Sequence, residues 1–312
     1  MKKCPLFGKC GGCKFDFASA GYRAAKLSLL QDLPITGDPV CIDAGHRRRG
    51  DFAFWDDKFG FYEAGSKNII PVNHCPALSD KINDILPFVA AMPWTGAGSV
   101  LITECDNGID ISIVSNVPYF NAELKKAVDI IQAIRIAWNG RILKQTAQPI
   151  IKFGDQEIEY PPNAFLQPSR AGEDALRRLV NEAAAGSEKV ADLFCGLGSF
   201  TFALNADGFD INGGIRRDLF KKPLTVQNLK KYDCVVMDPP RAGAVVQAGE
   251  LAKSDVRKVV YVSCNPRTFM RDKAILEKGG FELTCLTPVD QFVGSGHWEL
   301  VGVFNKSVNR KS

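Results

Sequence analysis

No apolar run in this sequence reaches the length of a membrane span; even "NDILPFVAAMPW" (83–94) is short and interrupted by prolines. No apolar core follows Lys2 and Lys3, so a secretory leader is not expected, and the chain is expected in the cytoplasm. There is no internal repeat and no low-complexity segment. Excess charge of one sign is also scarce. The net charge of +4 is compatible with a nucleic-acid partner but too small to argue for one alone. What remains is an ordinary globular composition over 312 residues, 46% hydrophobic and 24% charged, a length that suits two domains.

Ten cysteines need a reason, because a reducing compartment disfavours disulfides. Cys41, Cys105, Cys234 and Cys285 read as small buried hydrophobes. "CPLFGKCGGC" does not: it gathers Cys4, Cys10 and Cys13 in ten residues, with Gly11 and Gly12 permitting a tight turn. Thiolates so spaced suit either zinc or an iron–sulfur cluster.

Residues 50–115 read as strands. "DFAFWDDKFGFYEA" alternates around a turn at Asp56 and Asp57, and "DNG" joins "SVLITEC" to "IDISIVS". "NAELKKAVDIIQAIRIAW" predicts a helix over 121–138, ended by Asn139 and Gly140. "KFGDQEIEY" predicts a hairpin. From about residue 160 the texture changes, with a helix after Ser169 and then apolar strands alternating with helical stretches. That alternation predicts a mostly parallel, doubly wound sheet. A β-rich domain over 1–155 and an α/β domain over 156–312 are therefore expected.

In "ADLFCGLGSF" a strand ends in an acid, Asp192, and Gly196 and Gly198 let the backbone approach a ligand at a helix start. No lysine follows, which excludes a P-loop. "VVMDPPRAG" puts Asp238 at a strand's carboxyl end, where open α/β sheets bind ligands. "VVYVSCNPRTF" ends another strand at Cys264, beside a turn stiffened by Pro266, a place for chemistry more than for packing.

Together with "HCPAL" and "GHWE", these motifs resemble the RNA uracil-5-methyltransferases, from Cys4 almost to the end of the chain. The resemblance implies a Rossmann-like class I methyltransferase domain that uses S-adenosylmethionine, preceded by a smaller β-rich α+β domain with an amino-terminal iron–sulfur loop. Arg241 follows the two prolines. An aromatic there would suit methylation of an exocyclic amine, and a cysteine just after the proline would suit cytosine. Uracil carbon 5 is too weak a nucleophile unaided; a thiolate adds to carbon 6 and makes the ring an enolate. Cys264 matches the family nucleophile and Glu299 the base that removes the carbon-5 proton, with His297 a structural neighbour. Gln167, Phe194, Gly196 and Ser199 match cofactor contacts, Asp218 the position near the adenine, and Asp238 a group that arranges cofactor and base.

By the same resemblance Cys4, Cys10, Cys13 and Cys75 hold a 4Fe-4S cluster, with His74 a weaker candidate than Cys75. The methyl transfer needs no redox step, so the cluster's role is structural or in RNA contact. Arg47, Arg48 and Arg49 beside Phe52, Phe54 and Trp55 suit phosphate contact and base stacking, or equally a solvated turn beside core aromatics. The expected partner is RNA, 23S ribosomal RNA ahead of transfer RNA, reached by base flipping or a refolded loop, and a monomer is expected. Some relatives begin with a small β-barrel RNA-binding domain; here capture is expected to rest on the β-rich domain.

One departure bears on activity. Only "ADGFDINGGI" stands where the family has a strand, a helix and the start of a further strand, too few residues for that passage. Either Asp207 or Asp210 stands in for the acid that binds the ribose. A non-catalytic iron–sulfur RNA-binding protein is therefore the rival reading, and a zinc protein with an unrelated nucleotide site a third.

Overall fold

The computed structural model describes residues 3–117 and 122–306. The chain divides into two compact units. One takes in the chain up to Leu29, Asp43–Arg170 and Phe292–Gly296; the other takes in Leu30–Ile42, Ala171–Gln291 and the chain from His297.

The first unit is built on a seven-stranded sheet in the order Ile69–Pro71, Lys58–Tyr62, Arg49–Trp55, Ala97–Cys105, Gly108–Ser115, Arg135–Trp138, Arg141–Gln145. Strand alternation decides its two faces. Phe52, Phe54, Val100, Ile102, Ile111 and Ile113 join Ile82, Leu86 and Val89 of helix Asp80–Ala90 and Leu124 and Val128 of helix Ala122–Ile130 in one core. The opposite parity, with Asp51, Ser99, Leu101, Ser112 and Val114, lines a cavity. The predicted hairpin forms from Ile150–Phe153 and Gln156–Glu159.

The helix expected over 121–138 is shorter: it covers Ala122–Ile130, and Asn121 lies outside the described residues. Arg135–Trp138 is instead a buried strand, parallel to Gly108–Ser115. Its apolar run is short enough to fit either element, and the sheet decided. Asn139 (φ 46°) and Gly140 (φ 80°) are both left-handed, so "NG" makes the hairpin turn into Arg141–Gln145 and does not stop a helix.

The second unit is the expected α/β sheet. Its order is Val40–Cys41, Phe281–Asp290, Glu299–Lys306, Lys258–Ser263, Cys234–Met237, Val190–Leu193, Asp207–Asp210, Ile215–Arg216. Only the Glu299–Lys306 strand runs antiparallel to its neighbours. The central strands "CVVM" and "VVYVS" are apolar nearly throughout because both faces of the sheet are buried. Helices Arg170–Ala184, Val245–Ala252 and Pro266–Lys278 supply the covering layers.

Asp207–Asp210 and Ile215–Arg216 are parallel neighbours joined by residues 211–214 alone, with no helix between them. Parallel strands ordinarily need a crossover of about a dozen residues. Two glycines let the chain double back so tightly. A Cβ on Gly213 would stand 2.0 Å from the Gly196 carbonyl oxygen, and one on Gly214 would stand 2.5 Å from that of Gly208.

Candidate active site and cysteine pocket

The register of the second sheet gathers four sequence motifs at one edge. Leu193 pairs with Met237 and Ser263 with Leu300, so the residues just beyond them, Phe194, Asp238 and Cys264, lie along the carboxyl ends of the parallel strands. Glu299 begins an antiparallel strand, so its amino end falls on the same edge.

Local bonding fixes these residues. Asn265 caps helix Pro266–Lys278 by accepting from Arg267 N (3.1 Å), and its Nδ2 donates to the Arg241 carbonyl (2.9 Å). Thr268 Oγ1 donates to the same carbonyl (3.3 Å), and Arg241 Nη2 lies 3.4 Å from His297 Nε2. Buried Asp272 accepts from Ala244 N and from the Tyr261 hydroxyl, both at 2.7 Å, which anchors the loop after the two prolines. "SCNP", "DPPR" and "GHWE" are thus tied to one another.

The acids at this edge oppose one another's ionisation. Burial pushes Cys264 up to about 11, the charges of Glu299 and Asp238 push the same way, and Arg241 opposes them. Burial, then Asp192, raises Asp238 to about 7. Glu299, 3% exposed, is raised well above the usual carboxylate range by burial and by Asp238. A hydrogen bond from Gln291, then the Arg241 charge, pulls it back. Asp192 is raised to about 7 by burial, against a 2.6 Å hydrogen bond donated by Thr201 Oγ1.

At the glycine turn, Phe194, Gly196 and Gly198 all have positive φ, and a short helix, Ser199–Leu204, follows. Ser199 Oγ is buried with no partner in the protein. Asp210 accepts from Gly196 N (3.2 Å) and Asn212 N (2.8 Å) at the carboxyl end of its strand. Asp207, at the other end, is held by Tyr232, Lys189 and Lys231, whose hydrogen bonds, Tyr232's first, bring it down to about 2. Strand direction therefore puts Asp210, not Asp207, beside the turn. The Asp218 carboxylate accepts from Phe220 N (3.1 Å) and Lys221 N (3.3 Å) within its own turn, and Phe220 packs on Phe194 with ring centroids 5.3 Å apart. Gln167 belongs to the other unit, where it is buried and its carbonyl accepts from Arg48 Nε (3.0 Å).

In that unit Cys4, Cys10, Cys13 and Cys75 line one cavity of about 650 Å³, and none forms a disulfide. Asn83 braces Cys75 through bonds to its N–H (2.8 Å) and carbonyl (3.0 Å), and Gly11 N donates to Tyr62 O (2.8 Å). Burial raises Cys13 to about 12 and Cys75 in the same direction. Cys13 also feels Cys75, Cys10 and Cys4; Cys75 feels Cys4 and Cys10, so the four thiols act on one another. Among the described residues, no three His, Cys, Asp or Glu side chains stand so as to hold a metal ion.

Of the two readings of the basic and aromatic stretch, an RNA surface or a solvated turn beside core aromatics, the structure has the core aromatics but not the solvated turn. Phe52 and Phe54 are 1% exposed and belong to the core. Arg48 and Arg49 donate to the carbonyls of Gln167, Leu166 and Ala164, structural bonds made by side chains that burial takes from solvent. Trp55, 58% exposed, is the aromatic left for stacking. Sequence reasoning missed Gln291, whose amide carries no motif and is placed only by the meeting of two strand ends.

The tRNA (uracil-5-)-methyltransferase family profile matches residues 216–308. An uncharacterized RNA methyltransferase of Agrobacterium fabrum is 34% identical over 344 aligned positions, covering 96% of this chain and 83% of the relative. More positions are aligned than this chain has residues, so the relative carries segments absent here. A 23S rRNA (uracil-C5)-methyltransferase of Erwinia tasmaniensis is 27% identical, covering 97% of this chain and 82% of its own length. The fold is similar to that of a Pyrococcus abyssi tRNA (uracil-54, C5)-methyltransferase solved with S-adenosyl-L-homocysteine, with TM-score 0.72 and 22% identity over 89% of this chain and 81% of that one. With the family profile matching residues 216–308 and a relative 34% identical along almost the whole chain, this protein belongs to the RNA uracil-5-methyltransferase family.

Proposed function

We propose that this protein methylates carbon 5 of a uridine in 23S ribosomal RNA, with Cys264 as nucleophile and Glu299 as base. The observation that carries the proposal is the convergence of Cys264, Asp238 and Glu299 at one edge, tied through Arg241. Cys264 Sγ bonds to carbon 6 of a flipped uracil, and the ring electrons move to carbon 5. S-adenosylmethionine supplies the methyl group as a sulfonium. Asp238 arranges base and cofactor. Phe194, Gly196, Ser199 and Asp210 form the cofactor turn, with Gln167 and Asp218 as further contacts. The ribosomal substrate follows the Erwinia tasmaniensis relative; transfer RNA is the alternative, after the description of the matched family.

Cys4, Cys10, Cys13 and Cys75 are proposed to hold a 4Fe-4S cluster. Their support is a shared cavity and a donor set of four free thiols. A cluster is larger than one ion, so its thiolates need not converge on a point as zinc ligands do. A structural role fits, since the reaction needs no electron. The protein is read as a cytoplasmic monomer; no helix among the described residues is long and apolar enough to cross a membrane.

The test is anaerobic purification followed by incubation with labelled S-adenosylmethionine and unmodified total RNA, beside Cys264→Ala. Label in 5-methyluridine that vanishes in the variant is the expected result, and mapping it names the RNA. An absorbance spectrum and iron analysis, beside Cys75→Ser, test the cluster.

A second reading, RNA binding without methyl transfer, is favoured by residues 211–214. They leave no crossover helix between the two strands, and Gly213 packs against the Gly196 carbonyl. Calorimetry with S-adenosylhomocysteine separates the readings: RNA binding with no cofactor heat would support the second.

A further inference from the structure

We propose that Gln291 is a positioning residue that fixes one oxygen of Glu299 and so aims the other at the proton it removes. This rests on the function proposed above and deepens it.

Gln291 is wholly buried (0% exposed), one residue beyond the strand Phe281–Asp290. In the antiparallel ladder Val289 pairs with Glu299, so the chain passes Glu299 just before reaching Gln291. The Gln291 side chain is hydrogen-bonded to the Glu299 carboxylate. The other carboxylate oxygen, Oε2, is buried and has no partner in the protein. One oxygen is therefore held and the other is left for a ligand. Around Glu299 stand Asp238 at the end of one strand, Cys264 at the end of another, Arg241 with His297 beside it, and buried Asp290. Burial and the Asp238 charge oppose its ionisation. Of the groups that favour its ionisation the Gln291 hydrogen bond is the stronger, ahead of the Arg241 charge.

The step that needs the carboxylate is the last. After methyl transfer, carbon 5 carries both the methyl group and a proton, and carbon 6 is bonded to Cys264 Sγ. Glu299 takes the proton. The carbon–hydrogen electron pair becomes the carbon 5–carbon 6 double bond, and the pair of the carbon–sulfur bond returns to the Cys264 thiolate. A protonated Glu299 cannot do this, and the adduct persists. Without the amide donor Glu299 is a buried acid with two unpartnered oxygens, and it stays protonated to higher pH.

The experiment uses the full chain, tritiated S-adenosylmethionine and unmodified total RNA, with Gln291→Met, which keeps the volume and removes the donor. Gln291→Asn withdraws the amide by one methylene and is read the same way, should the methionine variant not fold. Expected is a labelled protein–RNA adduct, stable to denaturant, that accumulates at pH 7 and releases product as pH rises. The pH profile of turnover should move up by about one unit, roughly a tenfold loss of release at pH 7. The single-turnover methylation burst should be unchanged. Glu299→Gln is the reference and should hold the adduct at every pH. If the Gln291 variants turn over with the wild-type pH profile and no adduct while Glu299→Gln still traps it, the inference falls and the function stands. If the Gln291 variants lose the burst itself while Glu299→Gln keeps it, Gln291 is merely structural and the inference falls. If Glu299→Gln turns over as wild type does, the proposed function falls, and the inference with it.

Discussion

The proposed nucleophile is poorly ionised in the free protein, and this can be measured directly. Burial pushes Cys264 from an ordinary 9.0 to about 11, with Glu299 and Asp238 adding to the rise. Alkylation follows the thiolate fraction, so at pH 8 Cys264 should hold roughly a hundredth of the thiolate of an unshifted thiol. The perturbation is Glu299→Gln, which removes one of the two carboxylate charges and leaves burial, the larger cause, in place. The assay is iodoacetamide labelling between about pH 7.5 and 10, with the Cys264 peptide quantified by mass spectrometry. The wild-type rate should climb about tenfold per pH unit without a plateau in that window. Steric shielding would lower the whole curve but would not bend it. Glu299→Gln should react several-fold faster at pH 8, yet remain well short of the roughly hundredfold that full relief would give. A wild-type curve that levels off near pH 9 would refute burial as the controlling influence. A variant no faster than wild type would refute the charge coupling.

Other consequences follow from neighbouring groups. Asp192 is raised to about 7, so the folded state holds its proton more tightly than the unfolded chain, and this favours the fold most at low pH. Stability should fall as pH rises from about 4 to about 7; Asp192→Asn, which still accepts from Thr201, should gain up to about 4 kcal/mol in chemical denaturation at pH 8 and nothing at pH 4. In calorimetry with S-adenosylhomocysteine, Asp210→Asn should weaken binding and Asp207→Asn should not, because only Asp210 bonds the glycine turn. Trp55→Ala should lower RNA affinity by about 1–3 kcal/mol in a filter-binding titration and leave the melting temperature unchanged. Phe52→Ala, in the core, should instead cost about 3–5 kcal/mol of stability.

The second unit could be read from the sequence because its signals are local. Each apolar strand ends in a turn with its own chemistry, and a parallel sheet puts all those ends on one edge. Cys264 and Asp238 could thus be grouped from the sequence; Glu299, at the start of an antiparallel strand, joined them only through the family resemblance. The first unit was less legible where one residue type serves two elements. "RIAW" satisfies a helix or a strand by pattern, and the pairing with Gly108–Ser115 decided between them. Gln291 was invisible for another reason: a buried glutamine has no signature, and its role depends on where two distant strands meet.

Residues 211–214 mark where sequence reasoning reaches its limit. The count of residues already excluded a crossover helix, but it could not say whether two strands survive without one. They survive because Gly213 and Gly214 admit backbone where any Cβ would collide with the carbonyls of Gly196 and Gly208. The sheet keeps its order, and Asp210 keeps its place at the end of a strand. Both Asp210 oxygens, however, already accept from backbone N–H groups, so a ribose would have to share or displace those bonds. Shortening the connection thus leaves the Cys264 edge intact and puts its demand on the cofactor half. Any loss of activity in this chain should therefore appear first as weak cofactor binding, with adduct chemistry at Cys264 unaffected.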